Sequence, residues 1–273
     1  MTVIAMTREM GTLGKDVAQG IADALGMKVI HSELVEHDLA GKLGMQESAV
    51  HRYLDGSASL LERWKVDKAK LSRCTAEEML EIARQGNAVI RGWGAVSVLR
   101  QIPHVLRVRV CAPMAFRQRV MVERLGDSHA GAARGEIEQN DAAHAGITRK
   151  FFNVNWEDPL LYHVVLNTGS VPVDTCVKTV RLLAEDPAFQ ETEATRAILA
   201  DKRLEHRVRS IVSEKNGDAT IIDISVTGGR VILSGAVIRD YHASDIVNVV
   251  RAVPGVKAVE NNIIEAGGYH VTM

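Results

Sequence analysis

The first 26 residues restrict the fold of this chain more than any other stretch. Val3-Ile4-Ala5-Met6 is a short apolar run, Gly11 and Gly14 follow it, and Val17, Ile21 and Leu25 then recur at every fourth position up to Gly26. That order predicts a buried strand, a glycine turn and a helix stopped by glycine. The alternation then repeats. Met27 to Ile30 is a second apolar run before helical periodicity through Leu34, Val35, Leu39 and Leu43, and residues 46–73 are polar with a helical pattern. Thr75 and Glu78 have capping-box spacing in front of Met79, Leu80, Ile82 and Ala83, which predicts a helix start there and a stop at Gly86. Ala88 to Ile90 and Val105 to Ala112 are further strand-like runs, the second ended by Pro113. Phe116, Val120 and Met121 predict a helix up to Gly126, and Leu160 to Leu166 the last strand of this half. Strands alternating with helices predict an α/β fold with a parallel sheet covered on both faces.

From Asp186 to Asp201 the alternation breaks, and Pro187 interrupts any strand. This predicts a first domain over 1–186, a linker over 187–200 and a second domain over 201–267. In the second, Leu204, Val208, Ile211 and Val212 share one helix face, and Thr220 to Val226 and Arg230 to Val237 are strand runs joined at Gly228-Gly229. A helix through Ile246, Val249 and Val250, a Pro254-Gly255 turn and a strand from Val256 to Ile264 complete a small α-β-β-α-β unit.

Charge and composition exclude several roles. With 33 basic and 34 acidic residues the net charge is -1, so no whole-chain field draws nucleic acid or anionic lipid, and an anion site must be local. Aromatic residues are 4% of the chain, too few for the stacking platforms of single-strand binders, and no nucleic-acid partner is expected. Cys74, Cys111 and Cys176 are far apart and form no Cys-x-x-Cys pair, which fits a reducing compartment. Arg8 and Glu9 interrupt the N-terminus before a signal-length apolar stretch, and no run of about 18 apolar residues occurs, so a cytoplasmic location is expected. The 10 histidines show no tight ligand spacing, so a histidine metal site is not expected.

A strand, a glycine loop, a lysine and a helix together make a phosphate cradle, in which main-chain N–H groups meet the anion and the lysine neutralises its outer oxygens. Here the string is Thr7-Arg8-Glu9-Met10-Gly11-Thr12-Leu13-Gly14-Lys15-Asp16. The standard pattern has glycine where this chain has Glu9 and a hydroxyl residue where it has Asp16, so an ordinary strand-to-helix turn with a surface lysine stays open. Arg8 and Glu9 are either loop-shaping ion partners or solvated charges. Residues 100–125 add six arginines, Arg100, Arg107, Arg109, Arg117, Arg119 and Arg124, against one acid, Glu123. Planar bidentate donors of this kind suit phosphate oxygens. The alternative is that Arg107 and Arg109 point outward from a strand while the others lie on a solvated helix face. Trp64 and Trp156 read as core or interface residues, whereas Trp93, with glycine on either side, can come close to a ligand.

The opening Thr7-Arg8-Glu9-Met10-Gly11, the turn Ile90-Arg91-Gly92-Trp93-Gly94-Ala95, the segment from Leu106 to Arg124, and Asp158-Pro159, Tyr162 and Asn167-Thr168 resemble the cytidylate kinase-like family of P-loop nucleoside monophosphate kinases. The resemblance spans about residues 2–185 and implies a three-layer α/β kinase fold that transfers the γ-phosphoryl group of ATP to CMP or a similar acceptor, with Mg2+. It implies ATP contacts at Gly11, Thr12, Gly14, Lys15 and Asp16, Mg2+ at Asp16, and catalytic roles for Lys15, Arg117 and Arg124. It also implies acceptor contacts at Arg91, Trp93, Asp141 and Arg149. Three departures stand out. Asp16 replaces the hydroxyl residue, and a carboxylate there either holds the ion or repels triphosphate. Trp93 stands where members of the family carry arginine, a loss for which Arg91 or Arg149 would compensate. His144 stands where a lid Asp-x-x-Arg beginning at Asp141 is expected, and it carries charge only near or below its ordinary pKa of about 6.5.

Residues 200–267 resemble the BON domain in Val226-Thr227-Gly228-Gly229-Arg230-Val231, Leu233-Ser234-Gly235 and Val253-Pro254-Gly255-Val256. This implies a phospholipid or protein partner. The unit holds nine basic and nine acidic residues, which argues against a purely electrostatic lipid grip and leaves self-association into a homo-oligomer as the other reading.

Overall fold

The N-terminal run forms β1 (Val3–Arg8), the middle strand of a five-stranded sheet of order β2-β3-β1-β4-β5 in the computed structural model. The structure describes residues 2–31, 40–41, 46, 48, 68–92, 94–126, 131–216, 220–238 and 242–266. Trp64, Trp93 and the periodic stretch through Leu34, Val35, Leu39 and Leu43 lie outside these residues. The chain divides into two compact units, 1–192 and 193–273.

In the first unit β2 (Lys28–His31), β3 (Ala88–Arg91), β4 (Val105–Cys111) and β5 (Val164–Asn167) all run parallel to β1. A central parallel strand is covered on both faces, which is why Val3, Ile4, Ala5 and Met6 read as one unbroken apolar run and are all buried. Helix α1 (Gly14–Leu25) lays Val17, Ile21 and Ala22 on the sheet and is stopped by Gly26 in the left-handed conformation. The unit also contains α2 (Lys68–Gln85), α3 (Ala95–Val98), α4 (Met114–Leu125), α5 (Ala133–Phe152) and α6 (Val173–Glu185). One core cluster joins Ile4, Met6, Val17, Ile21, Val108 and Val180 across β1, α1, β4 and α6.

Two local expectations fail for identifiable reasons. Thr75 caps nothing: α2 begins at Lys68, so Thr75 is buried in mid-helix and its hydroxyl has no partner. The last strand begins at Val164, not Leu160, because Asp158 accepts from the N–H of Leu160 and Pro159 opens a 3-10 turn over Pro159–Leu161. Helix α5 has no side-chain N-cap, and Ile137 and Ile147 are its large buried apolar residues, so it carries little periodic signal.

The second unit has the expected α-β-β-α-β order: α7 (Glu193–Asn216), β6 (Thr220–Thr227), β7 (Arg230–Ile238), α8 (Ala243–Arg251) and β8 (Ala258–Ala266). Helix α7 already includes 193–200, the second half of the expected linker, and Pro187–Phe189 is a 3-10 turn. Strands β6 and β7 are antiparallel and β8 joins β7 in parallel. Gly228 (φ +60°) and Gly229 (φ +82°) form a two-residue turn that needs positive φ at both positions. The Asp201 carboxylate grips that turn from α7, accepting from Gly228 N at 2.7 Å and Gly229 N at 3.0 Å. Val208, Val231, Leu233, Ile246 and Val250 are among the buried residues beneath.

Candidate active site

Residues 9–13 connect β1 to α1 in a turn with two left-handed positions, Gly11 (φ +78°) and Leu13 (φ +55°). Both candidate glycines are needed for close packing. A Cβ on Gly11 would lie 2.6 Å from the Arg117 carbonyl oxygen, and one on Gly14 would lie 2.7 Å from the Arg8 Cβ. The Thr12 hydroxyl donates to Glu9 O at 2.8 Å, and the Thr168 hydroxyl, in the loop after β5, donates to Thr12 O at 2.6 Å. These bonds consume carbonyls and leave amides. Among the described residues, the N–H groups of Gly11, Leu13 and Gly14 meet no protein acceptor, and Lys15 and Asp16 are exposed on the first turn of α1. Unspent amides at a helix N-terminus with an adjacent lysine suit a phosphate.

Glu9 proves to be a loop-shaping residue. Its carboxylate accepts from Arg109 Nη2 at 2.7 Å and from Ala112 N at 3.2 Å, and lies 3.4 Å from Arg117 Nη1. Arg109 does not point outward as strand alternation suggests: it is 6% exposed, and its guanidinium lies over the Trp156 ring, 4.3 Å from the centroid. The face it occupies is covered by the chain that follows α5, where the Tyr162 hydroxyl also donates to Trp156 O. Burial pushes the Tyr162 phenol up, so it stays protonated. Arg107 is spent as well, donating to Leu161 O and Arg100 O at 2.8 and 2.7 Å.

Arg117, in the first turn of α4, is buried. Its Nε donates to Met10 O at 2.7 Å, and Nη1 and Nη2 donate to the two Asp141 oxygens at 2.8 and 2.7 Å. One guanidinium therefore ties the turn to both α4 and α5. Arg124, at the other end of α4, donates to Asp16 Oδ2 at 2.6 Å; both side chains are nearly half exposed, so water screens the pair. Lys15, Asp16 and Arg124 thus gather at the start of α1. Arg91 ends β3 and is buried, in contact with His31, and Arg149 is exposed on α5. Sequence reasoning missed His31 and Trp156 as members of this constellation; strand register carries the first, and nothing local carries the second.

His144 departs from its expected behaviour. Its ring packs edge-on to Trp156 with centroids 5.3 Å apart, and its buried Nδ1 has no partner. Burial, reinforced by the nearby Arg8 charge, pulls its pKa down to about 4, so it is neutral at pH 7 and supplies no lid cation. The consequence for stability has a definite sign. The unfolded chain takes up a proton on this ring below about pH 6.5 and the folded chain does so only near 4, so stability is fully present above that window and is lost as the pH falls through it. Between pH 7 and pH 5 this site costs about 2 kcal/mol. Urea midpoints at the two pH values should show that loss in the wild type and a clearly smaller one in His144→Leu.

Among the described residues no three His, Cys, Asp or Glu side chains converge as a metal cage. Mg2+ in kinase sites uses one or two carboxylates with phosphate oxygens and water, a requirement that Asp16 fits by chemistry and position, although its carboxylate already accepts from Arg124.

The cytidylate kinase-like family model matches residues 3–170, and the BON domain model matches residues 200–267. The chain is 24% identical over 178 residues to the cytidylate kinase of Pyrobaculum aerophilum, an alignment covering 65% of this chain and 90% of that protein. The cytidylate kinase of Pyrobaculum calidifontis gives the same identity and coverage, 24%, 65% and 90%. An uncharacterized protein from Eubacterium ventriosum shares the fold of the first unit at a TM-score of 0.53 and 18% identity, over 68% of this chain and 99% of that one.

Proposed function

The chain belongs to the cytidylate kinase-like family, and from that premise we propose that its first domain, residues 1–186, is a nucleoside monophosphate kinase that moves the γ-phosphoryl group of ATP to CMP or a related nucleotide in the cytoplasm. One observation carries this reading: the turn between β1 and α1, with close-packed glycines, unspent main-chain amides and Lys15 on the first helical turn. In this reading Gly11, Thr12 and Gly14 hold the ATP phosphates through the backbone, and Lys15 neutralises their outer oxygens. Arg124 adds charge from the end of α4. Arg117 contributes from behind, through Met10 O and Asp141, by keeping the turn in shape. Mg2+, when bound with the nucleotide, supplies charge neutralisation on the phosphate oxygens, and Asp16 is the residue that would hold it. Arg91, Trp93 and Arg149 serve the acceptor, whereas Asp141, expected there too, holds Arg117 against the turn.

A second reading has its own support. Arg117 is committed to carboxylates and His144 is neutral, so two of the cations that phosphoryl transfer would use are withdrawn. This favours a nucleotide-binding sensor whose BON-like unit docks on a protein partner, a membrane surface or a second copy of the chain.

Turnover of ATP-Mg2+ with each nucleoside monophosphate separates the two. The kinase reading expects transfer to CMP, with kcat/KM reduced about a thousandfold in Lys15→Ala through loss of charge stabilisation at the phosphates. ATP binding that depends on Lys15 without transfer to any acceptor supports the sensor. An absence of ATP binding defeats both.

A further inference from the structure

Among the strings that carry the family resemblance, Asn167-Thr168 takes no part in the phosphate contacts proposed above, yet Thr168 reaches the turn directly. Its hydroxyl lies 2.6 Å from Thr12 O and 3.4 Å from Cys111 O. A hydroxyl has one proton to give, and Cys111 O already accepts from the Thr168 N–H at 3.0 Å, so the proton goes to Thr12. Both threonines are buried, which makes that carbonyl costly to leave without its donor.

The bond sets the direction of more than a carbonyl. Among the described residues every peptide bond is trans, and in a planar trans peptide the C=O of one residue and the N–H of the next point in opposite directions. Holding Thr12 O toward Thr168 therefore turns the Leu13 N–H away from the loop after β5. That N–H is one of the unspent amides of the turn. Arg117 does the same one step earlier, since its bond to Met10 O turns the Gly11 N–H away from the guanidinium. Leu13 has particular need of such a hold. Its backbone is left-handed (φ +55°, ψ +19°), where a residue with a Cβ carries a steric cost that glycine does not, and such a conformation persists when its surroundings over-determine it. The anchor is itself fixed. Gly169 N donates to Asn167 Oδ1 at 3.0 Å, and a Cβ on Gly169 would lie 2.6 Å from Pro113 Cδ, so the loop that carries Thr168 is packed against the entrance to α4.

We propose that Thr168 is a positioning residue of the phosphate site: by donating to Thr12 O it holds Leu13 in its left-handed conformation and aims the Leu13 N–H at a phosphate oxygen of ATP. The inference rests on the reading of this turn as an ATP site. Nothing local in the sequence joins residues 12 and 168; the parallel sheet does, with β4 between β1 and β5.

The test compares full-length wild type, Thr168→Val, Thr168→Ala and Thr168→Ser by calorimetric titration with ATP-Mg2+ and by the amide spectrum of protein carrying isotopically labelled leucine, the Leu13 signal being identified by its loss in Leu13→Met. Valine keeps the branched shape of threonine and removes the donor, so ATP binding should weaken about tenfold. Alanine removes the same donor and should weaken binding at least as much, which keeps the test decisive where valine folds poorly. Serine keeps the hydroxyl and should stay within about threefold of wild type. At saturating ATP the Leu13 amide proton should move downfield in wild type and in Thr168→Ser, as a donor does on gaining a strong acceptor, and by less than half as much in Thr168→Val. A threonine that only stabilised the fold would leave that movement unchanged.

Any of four results overturns the inference: ATP affinity unchanged in a folded Thr168→Val or Thr168→Ala, a loss in Thr168→Ser as large as that in Thr168→Val, a Leu13 signal that bound ATP does not move in the wild type, or a full Leu13 movement in Thr168→Val. A wild type that binds no ATP removes the ATP site and this inference with it, whereas normal wild-type binding insensitive to Thr168 removes this inference alone.

Discussion

Replacing Arg117 with methionine lowers the stability of the first unit by about 3 kcal/mol, toward the lower end of the range for breaking a buried ion pair. The side chain is 5% exposed and holds three acceptors, Met10 O and both oxygens of Asp141. Methionine fills much of the volume but leaves those acceptors without their donor. Asp141 is 24% exposed and can recover some hydration, and Glu9 keeps Arg109, which is why the cost falls short of 5 kcal/mol. Arg117→Lys should recover less than half of the loss, because an ammonium cannot reproduce the planar fork that bonds both carboxylate oxygens. Urea unfolding of the two variants measures this directly. A change below about 0.5 kcal/mol in Arg117→Met, the range of an ordinary surface substitution, would mean that the guanidinium does not hold the turn.

Gly11→Ala has the second large effect, and it falls on ligand binding more than on stability. The position needs φ +78°, and the new methyl group would lie 2.6 Å from the Arg117 carbonyl oxygen, a main-chain atom that cannot swing aside. The turn must open or α4 must shift. Either movement displaces the amides proposed to meet the phosphates, so ATP affinity should fall at least about tenfold, the equivalent of 1.4 kcal/mol. Gly26→Ala supplies the control. It also has positive φ, +63°, but nothing lies within 4 Å of the added carbon. That variant should lose about 1 kcal/mol of stability from the backbone conformation alone and bind ATP normally. Equal ATP affinities in the two variants would show that the Gly11 contact does not shape the site.

Much of the framework was legible because it rests on periodicity. Val3 to Met6 had to be a strand covered on both sides, and Val17, Ile21 and Leu25 could only be one face of a helix, so β1, α1 and the turn between them followed from local pattern. Two adjacent glycines between two strand-like runs likewise located the hairpin of the second unit. What stayed hidden depends on contacts distant in sequence. Glu9 reads equally as a loop-shaping ion partner or a solvated charge until Arg109, 100 residues later, is seen to donate to it. Arg109 reads either as a phosphate donor or as an outward-facing strand residue until Trp156 is seen to cover it. Thr75 and Glu78 have capping-box spacing, yet α2 already has two turns of helix before them, so a local signal lost to the continuity of the helix around it. His144 is the sharpest case, because its charge state is set by burial, a property that spacing does not encode.

The grip of Asp201 on the Gly228-Gly229 turn binds a helix to a hairpin tip 27 and 28 residues downstream. A hairpin tip ordinarily frays first and exchanges its amide protons freely with solvent. Here those two protons are held by a carboxylate rooted in α7, so the tip cannot open until the helix lets go. Helix and hairpin therefore form one cooperative folding element, and the slowest-exchanging tip amides of the unit should be those of Gly228 and Gly229.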